Sequence, residues 1–256
     1  MKKLFLLTGL FLVTMGANAQ TDTTDQGVVI NGVTWATRNV DLLGTFAPTP
    51  ESPGMFYQWN RNVAWSATVP GMGEPMPNWD NTVPSGTEWE KVNDPCPMGW
   101  RVPNSDDFNK LLDTEKVSNE WALQNSIEGR KFIDLVTDKT LFLPAVGGRN
   151  HSDGTNWGVS AGGGYWSSAQ DDDANAWILA FIYNSGYAYL NNCDRGYGNS
   201  VRCVKDDTAA IGDILSDGRI ITGYYSLMGI PLQSEPVSGV YIVLYDNGVA
   251  EKAVTR

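Results

Sequence analysis

The stretch Asp94-Pro95-Cys96-Pro97-Met98-Gly99-Trp100-Arg101-Val102-Pro103 decides how this chain is read. It runs directly into Asn104-Ser105-Asp106-Asp107-Phe108, where the first clear helical signal begins. Asn104 and Ser105 suit a helix start, because a short side-chain oxygen can accept from the unpaired N–H groups of the first turn. Asp106 and Asp107 put negative charge at that end, where the helix dipole favours it. Phe108, Leu111 and Leu112 follow at i, i+3 and i+4, the spacing of one apolar helix face. Arg101 stands beside Trp100 just ahead of this helix; if buried, it needs carboxylate or carbonyl partners.

Upstream, Pro48, Pro50, Pro53, Pro70, Pro75, Pro77 and Pro84 crowd residues 44–90. Prolines at that density exclude a central strand or a long helix. Trp59, Trp65, Trp79 and Trp89 lie in the same stretch, which predicts a long ordered loop region pinned by aromatic rings. Further upstream, Val28-Val29-Ile30 and Val33-Thr34-Trp35 flank Asn31-Gly32, a pair that tolerates the two positive φ angles of a type I′ hairpin turn.

Downstream, Ser118 to Ser126 reads as a second short helix, Leu141-Phe142-Leu143 as a buried strand stopped by Pro144, and Gly147-Gly148 and Gly162-Gly163-Gly164 as loops. Trp177 to Tyr183, the turn Asn184-Ser185-Gly186 and Tyr187 to Leu190 read as a hairpin, and Ser200 to Val204 as a last strand.

Composition narrows the function classes. With 42% hydrophobic and 18% charged residues, the chain is a folding sequence and not a disordered one. A net charge of −11 repels phosphate, so a nucleic-acid partner is not expected. A single histidine, His151, in the polar loop Asn150 to Gly154, argues against His-based zinc sites and most His-based catalysis. The expectation is a protein that is not an enzyme.

The start of the chain reads as an export signal. Lys2 and Lys3 precede an apolar run from Leu4 to Val13, and Ala17-Asn18-Ala19 has the small-x-small form of a cleavage site. The run is too short for a transmembrane helix, and no transmembrane segment is expected elsewhere. The chain would therefore be secreted or held at the cell surface, where disulfides persist. Cys96, Cys193 and Cys203 allow at most one internal pair; three free thiols is the alternative.

The string at Asp94–Pro103 resembles the Fibrobacter succinogenes major paralogous domain, found in secreted proteins of Bacteroidetes. Four other strings agree in the same order: Gly32 to Val40, Leu143 to Arg149, Gly164 to Ser168 and Ser200 to Val204. The resemblance spans residues 28–205. It implies an α+β C-type lectin-like domain with short helices and twisted antiparallel strands, and a disulfide between Cys96 and Cys203 with Cys193 left over. It implies no general activity. Residues Arg101 to Phe108 are also similar to the strand-to-helix motif of formylglycine-generating enzymes, so an oxidase of that type is the third and weakest reading of function.

Residues 171–199 carry the candidate site. Tyr187, Tyr189 and Tyr197 supply rigid amphipathic area, and Asn184, Asn191 and Asn192 supply adaptable hydrogen bonding, as in antibody paratopes. Asp171, Asp172, Asp173 and Asp194 complete the set. The segment also resembles the variable region of target proteins of diversity-generating retroelements, although those regions end their chains and this one does not. The acidic loop Asp171–Asp173 with Asn175, joined by Asp153 and Asp194, offers hard oxygen donors for calcium, but the sugar-binding strings of calcium-dependent lectins are missing. No other cofactor is expected.

After Val204 the composition shifts. A linker at 206–215 leads into a small all-β unit at 216–256, with strands expected at Arg219–Tyr225, Val240–Tyr245 and Ala250–Thr255 and a turn at Asp246-Asn247-Gly248. Tyr225 to Gly229, Ser238 to Val243 and the ending Lys252 to Arg256 resemble the C-terminal sorting domain of type IX secretion, which implies outer-membrane secretion machinery as a partner. The organisation expected is thus a signal peptide at 1–19, a polar tail at 20–27, a lectin-like domain at 28–205, the linker and the small β unit. The function expected is a binding or adhesion module for an extracellular glycan or protein, with a ligand-free cell-surface scaffold as the alternative.

Overall fold

The computed structural model describes residues 24–206, 221–232, 235–236, 238–245 and 248–255. The expected signal peptide, the start of the polar tail, nearly all of the linker and Asp246-Asn247 of the last turn lie outside these residues.

Strands β1 (Val28–Ile30) and β2 (Val33–Trp35) form the expected hairpin, with Asn31 at φ 44° and Gly32 at φ 77°. The proline-rich stretch holds only the short strands β3 (Met55–Phe56) and β4 (Trp65–Ser66). Its rings hold it in place: Trp59 is fully buried and meets Trp89 edge-on, and Trp65 lies 4.8 Å from Trp79. Then come β5 (Trp100–Arg101) and α1 (Ser105–Leu111). Asn104 accepts from the Asp107 N–H, and the Asp107 carboxylate accepts in return from the Asn104 N–H, a complete capping box. Asp107 also takes both forks of Arg101, the partner that arginine required.

The remainder is β-structure, which corrects the expected α+β lectin-like domain. Strands β6 (Val117–Gln124), β7 (Ile127–Asp134) and β8 (Thr140–Pro144) form one antiparallel sheet. The expected helix at 118–126 is therefore β6 and its turn. Asn125 and Ser126 adopt positive φ, closing a two-residue hairpin, and pairing with β7 outweighs local helix preference. The short pair β9 (Gly148–Arg149) and β10 (Asn156–Trp157) precedes a second three-stranded sheet, β11 (Gly162–Gln170), β12 (Asn175–Ile182) and β13 (Ala188–Asp194). Gly162 to Gly164 open β11 and are not a loop. A Cβ on Gly163 would fall 2.9 Å from the Phe181 ring, so glycine here makes room for a neighbour instead of a turn.

The final element of this region is β14 (Val204–Lys205), shorter than the expected Ser200–Val204 strand. It pairs with both β2 and β5, so residues at the two ends of the region share one sheet. Cys96 and Cys203 are bonded beside it, and Cys193 is free. Among the described residues α1 is the one α-helix, seven residues long. The expected hairpins at Val28–Trp35 and Trp177–Leu190 are present, whereas Gly148 and Gly162–Gly164 stand in strands and the second helix is absent, and with that helix the α+β class falls.

So irregular a backbone leaves many carbonyls outside regular ladders, and buried carbonyls need donors. Fully buried arginines supply them. Arg149 donates to the carbonyls of Ser66, Gly154 and Pro70. Arg202 donates to those of Ala36 and Thr37 and to Asn39 Oδ1. Arg130 reaches Asn119 Oδ1 and the Gly186 carbonyl. A guanidinium fits this role because its planar fork presents five donors and keeps its charge.

Strands β15 (Ile221–Tyr225), β16 (Pro231–Leu232), β17 (Gly239–Tyr245) and β18 (Ala250–Thr255) form a separate antiparallel sheet in the order β16-β15-β17-β18. Tyr241, Val243 and Tyr245 are buried on one of its faces.

Candidate functional site

The β11–β12–β13 sheet has two unlike faces. Leu179 and Phe181 of β12, with Ala188 of β13 and Tyr165 of β11, point into the main core beside Trp35, Phe108 and Phe132. The register puts Ile178, Ala180 and Ile182 on the opposite face, with Tyr189, Asn191 and Cys193 of β13 beside them. One end of that face, with Trp166, Ala176 and Ile178, is covered by a second core around Trp59 and Trp100. The other end is left open as a groove of about 560 Å³.

The floor of the groove is made by Gly163, Gly164, Ile178, Ala180 and Ile182. β13 lines it through Tyr189, Asn191 and Cys193, and β10 and the neighbouring loops line it through Trp157, Asn150 and Tyr197. Arg149 holds these loops, since the carbonyls it binds are those of the loops around it, and its own backbone exchanges both hydrogen bonds with Gly198. Trp157 pairs across from Gly148, whose missing Cβ leaves room for the indole.

Asn199 sits at the base. Its backbone pairs with Tyr57, and the next residue, Ser200, is tied to Gly164 and Trp166 of β11. Its side chain is 1% exposed. Nδ2 donates to Cys193 Sγ at 3.7 Å, while the buried Oδ1 has no hydrogen-bond partner. A Cβ on Gly164 would lie 2.6 Å from that oxygen, so only glycine fits beneath it.

Of the residues expected to bind, the structure gathers Tyr189, Asn191, Asn192, Asp194 and Tyr197 at the groove. Tyr187 lies just outside, exposed, with its ring 5.7 Å from Tyr189. Asn184 stands in the turn beyond. Asp171 accepts from Asn192 Nδ2 at 2.8 Å, and Asp173 is exposed on the same loop. Asp172 accepts from the N–H groups of Ala174 and Asn175 and from the Asn175 amide, which hold its carboxyl below the usual range. Its oxygens are thus committed to closing their own loop. Among the described residues no group of three or more His, Cys, Asp or Glu is placed to hold a metal ion.

The groove was not fully legible in the sequence. Asn150, Trp157 and the floor glycines come from other segments. Trp157, a bulky ring between polar Asn156 and Gly158, was the one signal that could have pointed there.

No Lys, Arg or His lines the groove. Its carboxylate, Asp194, accepts from the Gly196 N–H at 2.8 Å and lies 3.8 Å from His151 Nδ1. His151 stacks on Tyr197 at 5.3 Å, and among the described residues no hydroxyl or thiol hydrogen-bonds to its ring. Burial pushes the Cys193 thiol up to about 12, so it stays protonated and non-nucleophilic. Cys203 is already bridged to Cys96, so no free cysteine pair is assembled. The groove presents mainly rings and side-chain amides to a ligand.

The family model of the Fibrobacter succinogenes major domain matches residues 14–205 of the 256-residue chain. The chain belongs to this family. No curated protein matches it, and no solved structure does.

Proposed function

We propose that this protein is an exported, non-enzymatic binding or adhesion module whose ligand occupies the groove on the β11–β12–β13 sheet. One observation carries the reading: the Tyr- and Asn-rich segment that looked like a recognition surface lines an open concavity. At about 560 Å³ it falls within the roughly 300–1,000 Å³ range of small-ligand sites. The basic and apolar start of the chain supports export, and the Cys96–Cys203 bridge is in keeping with an oxidising compartment. The test is retention of the full chain on glycan and protein arrays, beside Tyr189→Ala and Asn192→Ala variants with unchanged melting. Loss of retention in those variants supports the groove. No retention on either array leaves the scaffold reading in its place.

Residues 216–256 we assign as a sorting unit for passage across the outer membrane, on the order of their sequence strings and their position after the matched family region. Deleting Thr222 to Arg256 should trap the remainder in the periplasm. Normal surface levels of the truncated chain would overturn that assignment.

A further inference from the structure

Resting on the groove as the binding site, we infer that its ligand is a neutral saccharide, bound without a metal ion. Three observations converge. The first is charge: the lining holds no cation, its carboxylate already accepts from a backbone N–H, and the chain as a whole carries −11. A phosphate, sulfate or uronate would find no counter-charge and a repulsive field. With Asp194 as the one carboxylate in the lining, calcium would lack the several carboxylate oxygens it takes.

The second is the polar inventory. Among the described residues the exposed side-chain amide of Asn191 has no hydrogen-bond partner, and Asn199, which lines the groove, has an unpartnered, buried Oδ1. A buried acceptor left unpaired carries a desolvation cost that a ligand hydroxyl would remove. A free amide offers both a donor and an acceptor, which matches hydroxyls that do both. The third is aromatic surface. Trp157, at 40% exposure, and Tyr189 both line the groove. Each offers a flat, amphipathic surface to the C–H face of a sugar ring while amides meet the edge hydroxyls. The concavity favours the end of a chain or a single unit over a flat protein surface.

The experiment is a printed array of neutral, uronic-acid and sialylated glycans, probed with the full chain in EDTA and followed by titration calorimetry on the best neutral glycan. Retention of neutral glycans in EDTA is expected. Asn191→Ala and Trp157→Ala should each weaken the titrated affinity by at least about tenfold, the scale of one lost polar or stacking contact, at the wild-type melting temperature. Retention only on acidic glycans, only on proteins, or only with calcium would overturn the saccharide assignment and leave the groove standing if the variants still lost it. Unchanged affinity in both variants would overturn the groove itself.

Discussion

The guanidinium of Arg195 lies 4.3 Å over the ring of Trp59, and its nitrogens donate to the carbonyls of Gly86, Asp172 and Asn175 and to Gln170 Oε1. One buried cation thereby ties the proline-rich loops to the acidic loop that borders the groove. Trp59 in turn donates through Nε1 to the Ser167 carbonyl of β11.

Arg195→Ala is expected to cost at least about 3 kcal/mol, because it strips several charge-assisted bonds and strands buried carbonyls. Arg195→Lys should recover only part of this, since an ammonium cannot reproduce the fork. Urea midpoints at constant slope would measure both. A Lys variant as stable as wild type would show that charge alone suffices.

Peptide mapping without reductant should recover Cys96 linked to Cys203. The bridge closes a separation of 107 residues, for which the chain-entropy model gives about 4–5 kcal/mol. Cys96→Ala with Cys203→Ala should lower stability by about 2–5 kcal/mol, read by chemical denaturation. A smaller loss would mean that the pairing of β14 with β2 and β5 is enough to hold the two ends together.

Stability should respond to pH at Asp94. Burial pushes this carboxyl up to about 6 from 3.8, against the pull of the N–H groups of Cys96 and Val102 that it accepts from. A folded pKa above the unfolded value means that the folded state holds the proton more tightly. The Asp94 contribution is therefore fully present below about pH 3.8 and lost as pH rises through about 6. Asp134 has the opposite sign. The N–H groups of Asn31 and Thr137 hold it down to about 2, so its contribution is present above 3.8 and lost as pH falls through about 2. Denaturation at stepped pH should show the first slope vanish in Asp94→Asn.

Phe181→Ala and Tyr187→Ala should separate the two sides of the sheet. Phe181 is fully buried in the main core, and its truncation should cost about 3–5 kcal/mol. Tyr187 is 62% exposed, and its removal should leave the melting temperature nearly unchanged. An early-melting Tyr187 variant would mean that its contact with Tyr189 holds the β12–β13 hairpin together.

Four of the five family strings contain an arginine that meets internal acceptors: Arg38, Arg101, Arg149 and Arg202. Their identity was visible in the sequence, but their partners were not. Those partners are mostly carbonyls brought together from distant loops, and a carbonyl leaves no mark on residue type. The segment at 118–126 failed for a related reason. Its composition permits helix, and only the neighbouring β7 and β8 strands make strand the better choice.

The sequence by itself determined the hairpin at Val28–Trp35, the cap and apolar face of α1, the aromatic-pinned proline loops, and the family to which residues 14–205 belong. These depend on neighbours along the chain, on rings that must be buried, or on a string too specific to arise by chance. The tertiary structure alone decided the β class, the mates of the buried arginines, and the meeting of Trp157, Asn199 and Tyr189 around one groove. Those depend on which segments meet in space, and β-pairing between segments far apart is set by the packing of the whole chain and not by local preference.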